Sequence, residues 1–204
     1  MQIYKNINNL STFKNAVLTI GTYDGVHFGH QQIIKRLNDI ANEINGESVL
    51  LTFDPHPRLI LHPEDYTLKL ISTIDEKEEL LASFGLNHLV IAAFSKDFAS
   101  MEAEDYVEKI LINNFHPKKI VIGYDHHFGK DRKGNIDLLR QLSNKYNYEV
   151  EEISAQTLDE IKVSSTKVRN FLLEGKIKEA NLLLAHPFTI KGKVVHGDKI
   201  GRIL

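Results

Sequence analysis

The chain has 204 residues, 42% of them hydrophobic and 25% charged, with 25 basic against 27 acidic side chains and a formal net charge of −2. This length supports one α/β domain with a full core and at most a small appendage, and a near-neutral balance without a long basic stripe gives no expectation of a nucleic-acid partner. The lack of cysteine excludes disulfides, thiolate metal sites and a cysteine nucleophile, while no signal-peptide layout and no membrane-length apolar run leave the cytoplasm as the expected compartment.

In chain order, the apolar run Ala16 to Ile20 reads as a buried strand. A glycine-punctuated turn follows, Gly21-Thr-Tyr-Asp-Gly-Val-His-Phe-Gly-His30, and an amphipathic helix is expected to start on His30. That helix runs to Asn45, with Ile33, Ile34, Leu37, Ile40, Ala41 and Ile44 on one face. Ser48 to Phe53 is a second short strand, stopped by Pro55 and Pro57. A helix near Ile74 to Phe84 leads to a strand at His88 to Ala92. The spacing of Ala103, Tyr106, Val107, Ile110 and Leu111 predicts a helix over roughly Glu102 to Asn113. A strand at Lys119 to Ile122, a helix near Ile136 to Tyr146 and a strand at Tyr148 to Ile153 complete the alternation. Alternating strands and helices predict an α/β fold with a doubly wound parallel sheet. Ligands are then expected beyond the carboxyl ends of the strands.

Four polar or glycine-rich loops fall at such ends: Gly21 to His30, Asp54 to Arg58, Gly123 to Gly129, and Val163 to Arg169, the last opening another helix. Together they are expected to outline one crevice. In the first, two histidines spaced His-x-Gly-His stand where a helix begins. Free N–H groups and the positive end of the helix dipole favour anionic oxygens there. Imidazoles add donors able to follow charge developing on phosphorus. The spacing alone is weak. Two other readings stand beside it: His27 and His30 as plain helix-start residues, or a zinc site at i, i+3 that has no third ligand at motif spacing. In the last loop, Ser164, Ser165 and Thr166 gather hydroxyls at a helix start, and Arg169 shares a face with Ser165. The pair is suited to gripping one phosphate; alone, the segment reads equally as an N-cap with a surface arginine.

Four segments, Gly21 to His30, Thr52-Phe-Asp-Pro-His-Pro57, Gly123-Tyr-Asp-His-His-Phe-Gly129 and Ser164-Ser-Thr-Lys-Val-Arg169, together resemble the N-terminal adenylyltransferase module of the bacterial bifunctional riboflavin kinase/FAD synthetase family. The resemblance runs in order over essentially the whole chain. It implies a Rossmann-like nucleotidylyltransferase fold and transfer of AMP from ATP to FMN, giving FAD and pyrophosphate. By that resemblance His27 and His30 are catalytic and contact the ATP phosphates. Gly21 and Gly25 let the backbone approach the nucleotide, and Asp24 fixes the turn. Ser164, Ser165, Thr166 and Arg169 hold the departing phosphates. Magnesium is expected to bridge phosphate oxygens with few protein ligands. For the flavin, Phe53, Pro55 and Pro57 offer a rigid apolar edge, with Phe128 as a second aromatic candidate. Tyr106 is a flavin candidate whose helical spacing reads equally as core. Asp125 stands where the family carries Asp or Asn, and His126 departs from the family's Phe. The His126-His127 pair and His56 read equally as ordinary loop histidines, the reading favoured for His127.

Residues 1–186 are thus expected to form the FMN adenylyltransferase domain. Residues 187–204, with a strand over Phe188 to Val195 and a turn over His196 to Arg202, resemble the opening of a truncated riboflavin kinase barrel. A lone strand cannot form a barrel, so riboflavin phosphorylation is not expected of this chain. Two competing readings are a nucleotidylyltransferase for another phosphate-bearing acceptor and a non-catalytic nucleotide or flavin binder. The Thr52 to Pro57 loop argues against the first, and the intact histidine turn and Ser164 to Arg169 loop argue against the second.

Overall fold

A computed structural model describes residues 1–153 and 163–197. Six parallel strands form one sheet in the order β1-β4-β3-β2-β5-β6, with β1 Gln2–Tyr4, β2 Val17–Ile20, β3 Ser48–Asp54, β4 His88–Ala93, β5 Lys119–Gly123 and β6 Glu149–Ile153. The central strands are continuous apolar runs because helices cover both faces. Their side chains alternate between two cores: Leu18, Val49, Leu51, Ile120 and Ile122 on one side, Val17, Leu50, Leu89, Ile91 and Val121 on the other. Helices α1 (Phe28–Glu43) and α3 (Ile74–Ser83) fill the second side. The helical stretch from Ala103 to Phe115 and α7 (Ile136–Tyr146) fill the first.

Chain order runs one way from β2 through β3 to β4, then returns across the sheet to β5 and β6. The reversal lies between β2 and β5. This is the switch point where an open α/β sheet leaves a crevice.

Several sequence expectations need correction. Helix α1 begins at Phe28 rather than His30, with His27 as its N-cap. The 102–113 helix is not uniformly α. Its α5 (Ala103–Asp105) and α6 (Asn113–Phe115) ends flank π-helical turns at Tyr106–Ile112. The wider turns bury the adjacent pairs Tyr106-Val107 and Ile110-Leu111 together, and such turns recur beside functional sites. Strand β1 carries no apolar pattern; it forms because β4 offers an open edge to its backbone. The short helices α2 (Pro57–Leu61), which begins inside the Asp54 to Arg58 loop, and α4 (Lys96–Ala99) are not among the predicted elements.

Beyond α8 (Ser165–Leu173) and α9 (Ile177–Leu184), the strand expected over 188–195 is absent. A strand needs a ladder partner, and this segment instead rests on α3, with the Lys191 N–H donating to Glu76 Oε1 at 3.3 Å. Of the turn expected over 196–202, residues 198–202 lie outside the described residues. No helix among the described residues is long and apolar enough to cross a membrane.

Candidate active site

A cleft of about 980 Å³ opens beyond the carboxyl ends of the strands, at the switch point. All four motif loops reach it, through Gly21, His27 and His30, through Pro57, through Gly123 to Gly129, and through Ser164 and Ser165.

The histidine turn is locked from behind. Gly25 has φ +76°, and a Cβ there would meet Ile71 Cγ2 at 2.7 Å. Only glycine fits both restraints. The carboxylate of Asp24, 2% exposed, accepts the Ile71 N–H at 3.0 Å and the Ser72 N–H at 3.2 Å. Arg169 Nη2 donates to it at 2.6 Å, and Arg169 Nε donates to the Lys69 carbonyl at 2.8 Å. Ser165 Oγ donates to the Asp24 carbonyl at 3.1 Å. Ser165 and Arg169 therefore do converge from one helical face, and in this structure they converge on Asp24. Ser164 caps α8, accepting the Lys167 N–H at 3.2 Å, and Thr166 is exposed. Asp24, Gly25 and Arg169 stand behind the cleft wall, and the exposed Thr166 does not line it either. Helix α9 docks on the same turn through α1, where Gln31 Nε2 donates to the Val26 and Leu184 carbonyls at 2.8 and 2.7 Å.

On the wall, the His27 and His30 rings stack at 3.6 Å, 14° from parallel, and Tyr23 lies against His30 at 4.6 Å. A Cβ on Gly21 would strike the Tyr23 ring at 2.9 Å, so this glycine makes room for the stack. His27 Nδ1 accepts the His30 N–H across a long 3.4 Å, which leaves the proton of a neutral ring on Nε2. Burial pushes His27 down to about 4, against the opposing influence of its own backbone and Asp24. Burial, with His27 and Lys77 adding to it, pushes His30 well below the ordinary histidine range. Both rings are neutral near pH 7, and His30 Nδ1 has no partner among the described residues.

The opposite wall is aromatic. Phe53, Phe94 and Phe98 meet with centroids 5.4–5.6 Å apart. Phe98 abuts Tyr106 edge-on at 5.8 Å, and Tyr106 lies 5.2 Å from Phe128. Tyr106 serves as core and as cleft wall at once, being 3% exposed. Pro57 and Asp125 line the cleft; Pro55 is exposed and does not. His126 lines it 5.9 Å from Phe128 and is pushed down to about 4 by burial. His56 caps α2, its Nδ1 accepting the Arg58 N–H at 3.2 Å. Sequence reasoning missed Phe94 and Phe98. Their signal was available: Phe94-Ser-Lys-Asp-Phe98 follows the end of β4, a fifth strand end on the same edge.

Known proteins resemble this chain in sequence and fold. A family model described as FAD synthetase matches residues 10–167. A bifunctional riboflavin kinase/FMN adenylyltransferase of Buchnera aphidicola subsp. Schizaphis graminum is 39% identical over 206 residues, covering 100% of this chain and 66% of that protein. One of the same name from Listeria monocytogenes is 35% identical over 191 residues, covering 93% and 60% respectively. A solved structure described as a macrolide-efflux protein from Streptococcus pneumoniae superposes with a TM-score of 0.80 at 31% identity, over 97% of this chain and 65% of that one. The chain spans less than two thirds of the length of these relatives.

Proposed function

Because the chain belongs to the FAD synthetase family, we propose that it transfers AMP from ATP to FMN, giving FAD and pyrophosphate, with residues 1–186 as the adenylyltransferase domain. The observation that carries this reading is the pairing of walls across one cleft. Stacked neutral imidazoles at the N-terminus of α1 suit phosphates, and the aromatic tier facing them suits a planar ring system.

An FMN phosphate oxygen attacks the α-phosphorus of ATP in line. A new phosphorus–oxygen bond forms as the α–β bridge breaks, and the electron pair leaves with pyrophosphate. The phosphate monoester is largely ionised near pH 7, so no general base is needed, and catalysis rests on alignment and charge stabilisation. His27, donating from Nε2, and His30 stabilise the charge developing on the α-phosphate. Ser164, Ser165 and Thr166, with the N–H groups of α8, receive the departing phosphates. In this reading the Arg169–Asp24 pair either holds the turn rigid or exchanges its partner for phosphate when the nucleotide enters. The flavin ring lies against Phe53, Pro57, Tyr106 and Phe128, with Asp125 as a polar contact.

Magnesium carried by the ATP phosphates would supply neutralisation of their negative charge. The Asp24 carboxylate is engaged by Arg169, Ile71 and Ser72, and among the described residues Asp125 and Asp131 are the carboxylates on the cleft lining, so an ion carried by the phosphates would take few ligands from the protein. We place the reaction in the cytoplasm. Incubation with magnesium, ATP and FMN, with flavins resolved chromatographically, tests the reading. FAD with equimolar pyrophosphate is expected; no FAD at any magnesium concentration would refute it.

A further inference from the structure

The charge inventory of the cleft leaves a cation outside the mechanism above. Two anionic substrates must meet there, yet His27 and His30 are neutral and Arg169 is paired with Asp24 at 2.6 Å. Lys96, Lys130 and Arg132 line the far end, exposed to water. Lys77 differs from all of these. At 6% exposed, it is the buried Lys or Arg among the described residues. No carboxylate lies within 4 Å of its ammonium among those residues.

Its position follows from the fold. The Ile71 and Ser72 N–H groups bind Asp24, and the Ser72 hydroxyl accepts the Gly25 N–H at 3.0 Å. Helix α3 starts immediately afterwards, fixed by a reciprocal cap between Thr73 and Glu76. Residue 77 is therefore carried in the first turns of a helix anchored to the histidine turn. Lys77 does not line the cleft. It is buried, and burial pulls its pKa below the ordinary lysine value while Asp24 and Asp54 oppose that; its charge in turn lowers the pKa values of His30 and His56. Those four residues belong to the nucleotide turn and the Asp54 to Arg58 loop, the two segments between which the substrates meet.

Burying an ammonium without a close counter-ion is costly. Resting on the adenylyl-transfer reading above, we propose that Lys77 is a positioning residue supplying the fixed positive charge that offsets the approach of the FMN phosphate to the ATP phosphates. Acting through the wall, it favours the crowded transition state more than either substrate bound separately.

The test is Lys77→Met in the full chain, with steady-state kinetics, thermal melting and flavin titration. A fall in kcat of at least about 30-fold is expected, with KM for ATP and for FMN each within about 5-fold. The melting temperature should hold or rise, because a buried unpaired charge has been replaced by an apolar group of similar shape. FMN should also lose part of its binding advantage over riboflavin, which has no phosphate. Wild-type kcat in the variant would overturn the proposal. So would lost activity with a lowered melting temperature, which would make Lys77 a structural counter-ion of Asp24 and Asp54. If Lys77→Met does not fold, Lys77→Gln carries the same expectations, and failure of both to fold overturns the proposal. Absence of FAD from the wild-type chain would instead refute the adenylyl-transfer reading itself.

Discussion

The two walls of the cleft are held in different ways. The histidine wall rests on directional bonds: one carboxylate, Asp24, gathers two backbone N–H groups and a guanidinium behind a glycine turn. The aromatic wall rests on contact between rings, a chain of edge-on and tilted aromatics from Phe94 to Phe128. Hydrogen-bonded geometry fails abruptly when a partner is lost. Ring packing degrades in proportion to the surface removed. Substitutions on the first wall should therefore abolish function or stability, while those on the second should grade it.

The largest effect is expected at the histidine stack. His27→Ala or His30→Ala should lower kcat about 100- to 1000-fold, the range for losing one preorganised donor, with FMN affinity by fluorescence titration nearly unchanged. Comparable loss of flavin binding would erase the division between walls. Next, Arg169→Met should cost about 3 kcal/mol of stability in denaturant unfolding, since the buried Asp24 carboxylate loses its cation. If stability holds, the arginine serves the ligand rather than the turn.

Acid titration sharpens the contrast further. His27 is held down to about 4 in the folded state, so above pH 6.5 it is neutral whether folded or unfolded and contributes no pH dependence. Between about 6.5 and 4 the unfolded chain binds the extra proton, and stability should fall as pH drops through that window. The slope is about 1.4 kcal/mol per pH unit for each such histidine. His126, also near 4, adds to it. Unfolding curves at pH 7, 6 and 5 check this, and His27→Gln should flatten the trend. Smallest is Phe98→Ala, expected to raise KM for FMN about 10-fold with little change in KM for ATP. An equal rise in both would show that the aromatic wall also shapes the nucleotide side.

The same contrast explains what could be read from the sequence. The histidine wall was legible because turns and caps demand particular residues at fixed offsets, as in Gly25, His27 and Ser164. What escaped was long-range pairing: nothing near Asp24 announces that Arg169, 145 positions away, donates to its carboxylate. The aromatic wall was half legible. Phe53 and Phe128 stand inside recognisable loops, but Phe94 and Phe98 look like any aromatics near a strand end. Similarly, the buried runs of β2 to β5 carried their own pattern, whereas β1 borrows its conformation from the edge of β4. The π-helical turns around Tyr106 share the apolar spacing of an ordinary helix and differ only in how the turns are wound.

The most direct test of the account compares the wild-type chain with a His27→Ala, His30→Ala double variant. Both are given magnesium, ATP and FMN, with FAD and pyrophosphate followed together and FMN affinity measured separately. The wild type should give FAD with matching pyrophosphate, and the double variant should bind FMN normally yet make FAD at least about 100-fold more slowly. FAD at the wild-type rate from the double variant would contradict it.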